Sequence, residues 1–544
     1  MQQTCKNCDT TFLITEKDQE FYKRMEVSVP TLCPECRTQR RLAFRNDRSL
    51  YHSKSALSGK EIITMYNPDY QFTVYDQKEW YSDKWNPLDY GCEFDFNRPF
   101  FDQFAELQKK VPRFNVFNLD TENCEYVNYA PHCKNCYLLF GSWFNEDCLY
   151  GQTLNECKNC FDNLFVDKSE FCYENIDCNN NYNAKFCQNS SNVTDSYFCF
   201  DCQRVQNCIA CWNLRDKSYH IFNQPVSKEK FEEEQKKFAS YQHIKNFKQK
   251  FSELIMNEAI HRDFIGQNNQ NVSGNFIFNC KNAKYCFSVY RSEDIAFCGR
   301  LFEQKDTYDF DGGGKGELLY ENMSNDFSYN SISCTTCEHL NDSHYCDLCF
   351  NCQDCFGSVG LRYKKYCILN KQYSEEQYKD LVVKIIKHMK QTKEWGEFFP
   401  IKFSPFAYNE TLAQEYFPII KEEADKKGYK WLEKNNNSNV TSISKLPDNI
   451  EEVDDNVLQQ ILVCESCQNN FKIIEKELKF YKRQNLAIAH LCSNCRHKSR
   501  MDMRTPRKLW KSNCYQCNKD IETSYDPKRP EKVYCEKCYL KEVY

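Results

Sequence analysis

Residues 134–152 read KNCYLLFGSWFNEDCLYGQ, and the two cysteines in that stretch, Cys136 and Cys148, stand twelve residues apart. The same step reaches outward through Cys124, Cys160 and Cys172. It returns at Cys187, Cys199 and Cys211, at Cys286 and Cys298, and at Cys334 and Cys346, with Phe310 and Asn322 holding places where cysteine is missing. Local text repeats with it: a small polar residue, the cysteine, an aromatic or aliphatic residue and a short turn, as in EFCYENI at 170–176. A short fixed period of this kind predicts a β-solenoid whose rungs stack about 4.7–4.8 Å apart. A rung of twelve residues suits a narrow coil and one of twenty-four a wider one, and the period does not choose between them.

The block is duplicated at an offset of 147, so that Cys187, Cys199, Cys202 and Cys208 map onto Cys334, Cys346, Cys349 and Cys355. The exits match too, LRDKSYHIFNQPVS from Leu214 and LRYKKYCILNKQYS from Leu361. Equivalent cysteines should stack along the inside as small, soft, inert groups. The competing reading, a thiolate–metal cluster, has its best candidates in Cys199, Cys202, Cys208 and Cys211 and in Cys346, Cys349, Cys352 and Cys355. After each exit an amphipathic helix is expected. The first carries Phe231, Phe238, Tyr241, Ile244, Phe247, Phe251 and Leu254 at helical spacing; the second opens on a capping box, Ser374 to Gln377, and presents Tyr378, Leu381, Ile385 and Met389.

Both ends of the chain carry a different device. Cys5, Cys8, Cys33 and Cys36 superpose without a gap on Cys464, Cys467, Cys492 and Cys495, and FYKR at 21–24 falls on FYKR at 480–483. A third unit follows with Cys514, Cys517, Cys535 and Cys538. Each offers four thiolates as two CxxC pairs, the set a closed tetrahedral Zn²⁺ site needs, so three structural zinc ions are expected. Zinc also answers a folding problem, because modules this small bury too little apolar surface alone and a structural site contributes about 10–16 kcal/mol.

After the second CxxC pair of the first two units the sequence turns basic and helical, which suggests a treble clef with the last ligands at a helix N-terminus. The first helix brings Arg37, Arg40, Arg41, Arg45 and Arg48; the second brings Arg496, Arg500, Arg504, Arg507 and Lys508. Residues 458–544 hold 18 Lys/Arg against 10 Asp/Glu, a local +8 in a chain whose net charge is −5. Such a face is the footprint of phosphate contact. It equally suits docking onto an acidic part of the same chain, and residues 121–226 carry 13 acids to 7 bases.

Composition sets the outer limits. A chain of 544 residues needs several domains, and with 41 Phe and 35 Tyr against 15 Gly and 15 Pro it has the apolar mass to bury cores. With 36 cysteines, no leader before Cys5 and no run of eighteen apolar residues, a cytoplasmic protein without a membrane span is expected. The expected fold is mixed and mainly β. A zinc ribbon with basic helix (1–52) leads to a β-hairpin and aromatic helix (53–120) that caps the first solenoid end. Solenoid block A (121–226), an amphipathic helix (227–268), block B (269–373) and a helical segment (374–432) follow. A polar linker (433–457) then leads to zinc ribbons at 458–511 and 512–544.

The chain resembles a family of large, uncharacterised bacterial zinc-ribbon proteins. The carriers are CxxC…FYKR…CxxCR at both ends, DKWNPLDYG and FNRPFFDQF between residues 83 and 104, YNETLAQEYFP from Tyr408, and ETSYDPKRPEKVYCEKCY from Glu522. The resemblance implies zinc binding and no activity. Two non-catalytic readings stand close together: a module whose basic helices contact RNA or another phosphate-rich partner, and a purely structural, protein-docking scaffold. An enzyme sited on the solenoid is the weaker third. The ten histidines form no nucleophile–base motif, no phosphate loop or GxSxG occurs, and Asp83, Asp89 and Asp95 read as solvated loop carboxylates.

Overall fold

The computed structural model describes residues 1–155, 164–167, 170–433 and 446–544. The step at Cys160 and residues 434–445 of the expected linker lie outside these. The chain forms two compact units, one of residues 1–116, 264–432 and 507–509, the other of residues 117–263, 433–506 and 510–544. Among the described residues no helix is long and apolar enough to cross a membrane.

Each unit is built around one parallel ladder with a step of twelve. In the second unit Glu122 pairs with Lys134, Lys134 with Glu146, Tyr173 with Lys185 and Gln206 with Ser218. In the first unit Lys281 pairs with Glu293, Glu293 with Lys305 and Gln353 with Lys365. Backbone hydrogen bonds run eleven residues forward, as from Glu122 N to Cys133 O (3.0 Å), and thirteen back, as from Asn135 N to Glu122 O (2.8 Å). The period left open by the sequence is therefore twelve. Every third residue turns a corner in the left-handed region, for instance Asn180, Asn183, Phe186, Asn189, Asn192 and Asp195 (φ 46–58°). Asn and Asp tolerate that conformation best, which explains their recurrence here.

The buried column has the same period of three. In the first ladder it includes Val127, Ala130, Cys133, Cys136, Leu139, Cys148, Cys172 and Cys178. In the second it includes Cys334, Cys337, Leu340, Cys346, Cys349, Cys352 and Cys355. Phe310 and Asn322 are buried, as their places in the lattice predict. The ladder uses backbone amides at two positions of each triplet, and the amide of the inward residue turns to a side chain one repeat earlier. Cys187 N donates to Asn175 Oδ1 (2.9 Å), Cys202 N to Ser190 Oγ (3.0 Å), Cys136 N to Cys124 Sγ (3.4 Å) and Cys349 N to Cys337 Sγ (3.4 Å). Cysteine fits because it is small and apolar yet a weak donor and acceptor, so it fills the interior without orphaning the amide.

Both exits close in the same way. Asn223 receives Trp212 N and donates to Trp212 O (both 3.0 Å), and Asn370, its counterpart 147 residues on, does the same to Val359 (2.8 Å each). The helix after the first exit is broken into Lys228–Lys236 and Tyr241–Glu258 by Ser240, which caps the second piece. Phe238, Phe247 and Phe251 pack on Phe198 of the first ladder. After the second exit the expected capping box is present at Glu375–Gln391, with Tyr378, Ile385 and Met389 buried.

The segment expected to cap the first solenoid end divides: Phe117 N donates to Asn128 Oδ1 (3.1 Å) and Asn118 Nδ2 to Val127 O (2.7 Å) at the start of the first ladder, while the residues before them lie on the second ladder. Leu88 packs on the core that holds Cys352 and Cys355, Gly91 closes against the backbone of Asn370, Trp80 meets Phe350, and Arg113 pairs with Asp347 (2.8 Å). A cap is recognised by the chemistry of the end it covers, which nearness in sequence does not report.

Candidate metal centres

In each module an antiparallel hairpin supplies the first CxxC pair and a helix N-terminus the second. The hairpins are Gln2–Thr4 with Thr11–Leu13, Leu462–Val463 with Asn470–Phe471, and Trp510–Asn513 with Asp520–Thr523. Cys33, Cys492 and Cys535 are the N-cap residues of helices Pro34–Leu42, Ser493–Asp502 and Glu536–Val543. The four sulfurs of Cys5, Cys8, Cys33 and Cys36 lie within 4.8 Å of one another, as do those of Cys464, Cys467, Cys492 and Cys495 and of Cys514, Cys517, Cys535 and Cys538. Sulfurs of the two pairs approach to 3.7 Å (Cys8–Cys33), 3.7 Å (Cys467–Cys492) and 3.8 Å (Cys517–Cys535). A tetrahedron with Zn–S bonds of about 2.3 Å has edges of about 3.8 Å, so the donor sets fit zinc.

The amides at these corners favour thiolate. Burial pushes the Cys5 thiol up, but amides of Cys33, Asn7 and Cys8 outweigh it and bring it down to about 7. The same opposition leaves Cys464 at about 7 and Cys514 at about 6. All four positions are sulfur, so the sites are closed and leave no coordination position for a reacting water. Among the described residues no further group of three ligand atoms gathers this closely. The interior cysteines at 199, 202, 208 and 211 and at 346, 349, 352 and 355 are free, buried thiols.

The arginines behind the ligands are placed where the sequence could not show. Arg37 Nε donates to Asp309 Oδ1 (2.9 Å), and Arg41 reaches Asp309, Asp311 and Glu321 (3.1 Å each). Arg40 holds Glu321 (2.6 Å) and Glu397 (2.7 Å). Arg45 pairs with Asp47 (2.7 Å) and donates to Ser324 (2.6 Å). Asp309, Asp311 and Glu321 belong to the second ladder, and these side chains are all but sealed from solvent. Burial raises Glu321 against the pull of Arg40 and Arg41. Arg48 is half-buried, and together with Arg45 and Arg300 it opposes burial to hold Asp47 low.

The C-terminal module repeats much of this seating on the first ladder, at offsets of 459 and 147. Arg37 lies over Phe297 (5.0 Å) and its counterpart Arg496 over Tyr150 (4.8 Å). Tyr22 meets Tyr320 edge-on at 5.6 Å, and Tyr481 meets Tyr173 at 5.7 Å. Arg45 reaches Ser324, and Arg504 reaches Asp177 (2.8 Å). Arg500, buried like Arg41, helps Lys248 hold Glu174 low against burial, and Glu174 is the counterpart of Glu321. Arg507 donates to Asp311 (2.9 Å), and Lys508 is exposed. The third module joins differently. Its strand Lys532–Tyr534 pairs in parallel with Ile260–Arg262, and Tyr539 donates to the buried Asp201.

The acceptors Asp309, Asp311, Glu321 and Glu397 escaped the sequence reading. The one available signal was the run DGGGKG at 311–316, which keeps the left-handed corners at Gly312 and Lys315 but leaves no side chain at Gly312, beside Arg45. Residues 1–45 match the family described as "Probable treble clef domain". No curated protein matches the chain.

Proposed function

We propose that the protein is a non-catalytic scaffold in which zinc modules clamp β-solenoids. Each ladder is read as a four-cornered solenoid of one coil per twelve residues, and each of the two homologous treble clefs as the clamp seated on its side. The observation that carries this reading is the burial of Arg37, Arg40, Arg41, Arg496 and Arg500 within their own units. A guanidinium sealed against carboxylates fastens the module and is not presented to a phosphate. The contact chemistry left outside is aromatic: Phe144, Tyr182, Phe327, Tyr329 and Tyr363 are exposed on the ladders. Rigid, amphipathic rings of this kind suit a protein partner. A reducing cytoplasmic setting, and the wider likeness to bacterial zinc-ribbon proteins, belong to the same reading.

The alternative, RNA held by the basic helices, would require these modules to leave their seats. Purification of the full chain without added metal tests the choice. The scaffold reading expects about three zinc ions per chain and the 260/280 nm ratio of protein alone. Nuclease-sensitive absorbance at 260 nm that survives purification in the wild type, and is lost from Arg45→Glu/Arg504→Glu with its zinc intact, would overturn it.

A further inference from the structure

The first ladder is left open at the end where it begins. Glu122 and Glu125 pair with Lys134 and Tyr137 on one side, and among the described residues no strand pairs with them on the other. Residues 117–119 cover the later half of that repeat, where Asn118 Nδ2 donates to Val127 O (2.7 Å) and His132 N to Leu119 O (2.8 Å). Residues 120–123 and Glu125 are therefore exposed, and the inward residue between them, Cys124, is only part-buried. Among the described residues every other cysteine of the two ladders is buried.

Cys136 lies one repeat behind. Its amide donates to Cys124 Sγ (3.4 Å), and the two thiols are in contact. In-register parallel strands put their Cα atoms about 4.8 Å apart, inside the range of roughly 4.4–6.8 Å that a disulfide spans. The pair is also chemically split. The Cys136 thiol, then its amide and Lys476, bring the Cys124 thiol down to about 7 against burial. Contact with Cys124, Cys133 and Cys148 pushes Cys136 up, so it keeps its proton. A reachable thiolate with a protonated thiol against it is equipped to react with a peroxide and then to be resolved. The second ladder lacks the pair, since Ala283 stands 147 residues on from Cys136.

We propose that Cys124 and Cys136 form a modification site for small hydroperoxides, which close them into a disulfide between the first two repeats of the ladder. The Cys124 thiolate attacks a peroxide oxygen and the O–O bond breaks, leaving a sulfenic acid and an alkoxide or hydroxide that takes up the proton Cys124 released. The Cys136 sulfur then displaces water from the sulfenic sulfur, its own proton leaving with the hydroxyl. Two thiols lose two electrons and the peroxide gains them. The zinc-loaded full chain treated with hydrogen peroxide tests this by mass spectrometry and metal analysis. The wild type should lose two hydrogens, yield a single cross-link between Cys124 and Cys136, and keep its zinc; Cys124→Ser should yield no cross-link. In Cys136→Ser the sulfenic acid should persist, and a cyclic β-diketone should label Cys124 about tenfold faster than Cys92, which is exposed but whose thiol desolvation pushes up. A wild type in which Cys124 stays reduced, a cross-link from Cys136 to Cys133 or Cys148, loss of zinc before the cross-link forms, or equal labelling of Cys92 each overturns the proposal.

Discussion

The two treble clefs that share their ligand spacing also share their seats, and among the described residues one charged contact differs between them. Arg45 of the first donates to Ser324, whereas its counterpart Arg504 in the second pairs with Asp177. Aromatic packing is the invariant part. Phe297 and Tyr150, and Tyr320 and Tyr173, occupy equivalent places in the two ladders and receive equivalent side chains. Ring contacts therefore recur at both seats, while at one described place the polar partner has changed, from Ser324 to Asp177. This follows from energetics: a buried ion pair roughly breaks even with apolar packing of the same shape, yet is costly to break from one side.

The largest effect should come from the metal. Cys33→Ser and Cys492→Ser each remove one of four ligands, and with it most of about 10–16 kcal/mol of binding energy. Metal analysis should fall by one zinc per chain in each variant, and proteolysis should open only the module that lost its ligand. Proteolysis spreading equally through both modules would break the picture of two separate clamps.

The buried arginines come next. Arg41→Met removes one of two guanidinium groups from each of Asp309, Asp311 and Glu321, leaving them to Arg37, Arg507 and Arg40, and should cost about 3–5 kcal/mol in denaturant unfolding, with loss concentrated in the first unit. Ser324→Asp sharpens the comparison. It imports the Asp177 contact of the other copy beside Arg45 and should stabilise the first unit. A cost from that substitution would mean that Arg45 and Arg504 are not equivalent.

What the sequence revealed and what it hid divide along this line. Ligands lie within a few tens of residues of one another, and CxxC spacing is itself the geometry, so twelve metal-binding residues were legible. The duplication was legible because it is copied text. The arginine acceptors were not, since Arg37 and Asp309 are 272 residues apart and no short-range pattern links them. Nor could order along the chain show that the N-terminal module shares a unit with the second ladder and the C-terminal pair with the first. The rung size stayed open because a column of cysteines repeats every twelve residues in either coil. The deciding pattern, a buried residue at every third position, is spread over Val, Ala, Leu, Ser, Asn and Cys and has no single-letter signature.

A smaller effect separates the ladders by pH. Asp326 and Glu338 pair one repeat apart in the second ladder, where the first has Asn179 and Ser191. Burial pushes Asp326 up to about 6, and burial with the Asp326 charge pushes Glu338 up to about 7. The folded state then holds these protons more tightly than the unfolded chain, so their contribution is lost as pH rises from about 4 to about 7. His344, buried and held down to about 4, works the other way. The readout is therefore a difference: Asp326→Asn/Glu338→Gln should gain about 2–3 kcal/mol on the wild type between pH 4.5 and 7. A constant difference across that range would remove the pair as its source.

The smallest effect tests why the ladders are rich in cysteine at all. Cys337 of the second ladder receives Cys349 N (3.4 Å) and donates to Cys346 O (3.6 Å). At the equivalent place in the first ladder, Ser190 receives Cys202 N (3.0 Å) and donates to Cys199 O (3.3 Å). If the interior needs only a small group that accepts one amide and caps one carbonyl, Cys337→Ser should unfold within about 1 kcal/mol of the wild type. Cys337→Ala and Ser190→Ala, which orphan an inward amide, should each cost about 1–3 kcal/mol. Were alanine tolerated as well as serine at both places, volume alone would explain the column, and the hydrogen-bonding account of its cysteines would fall.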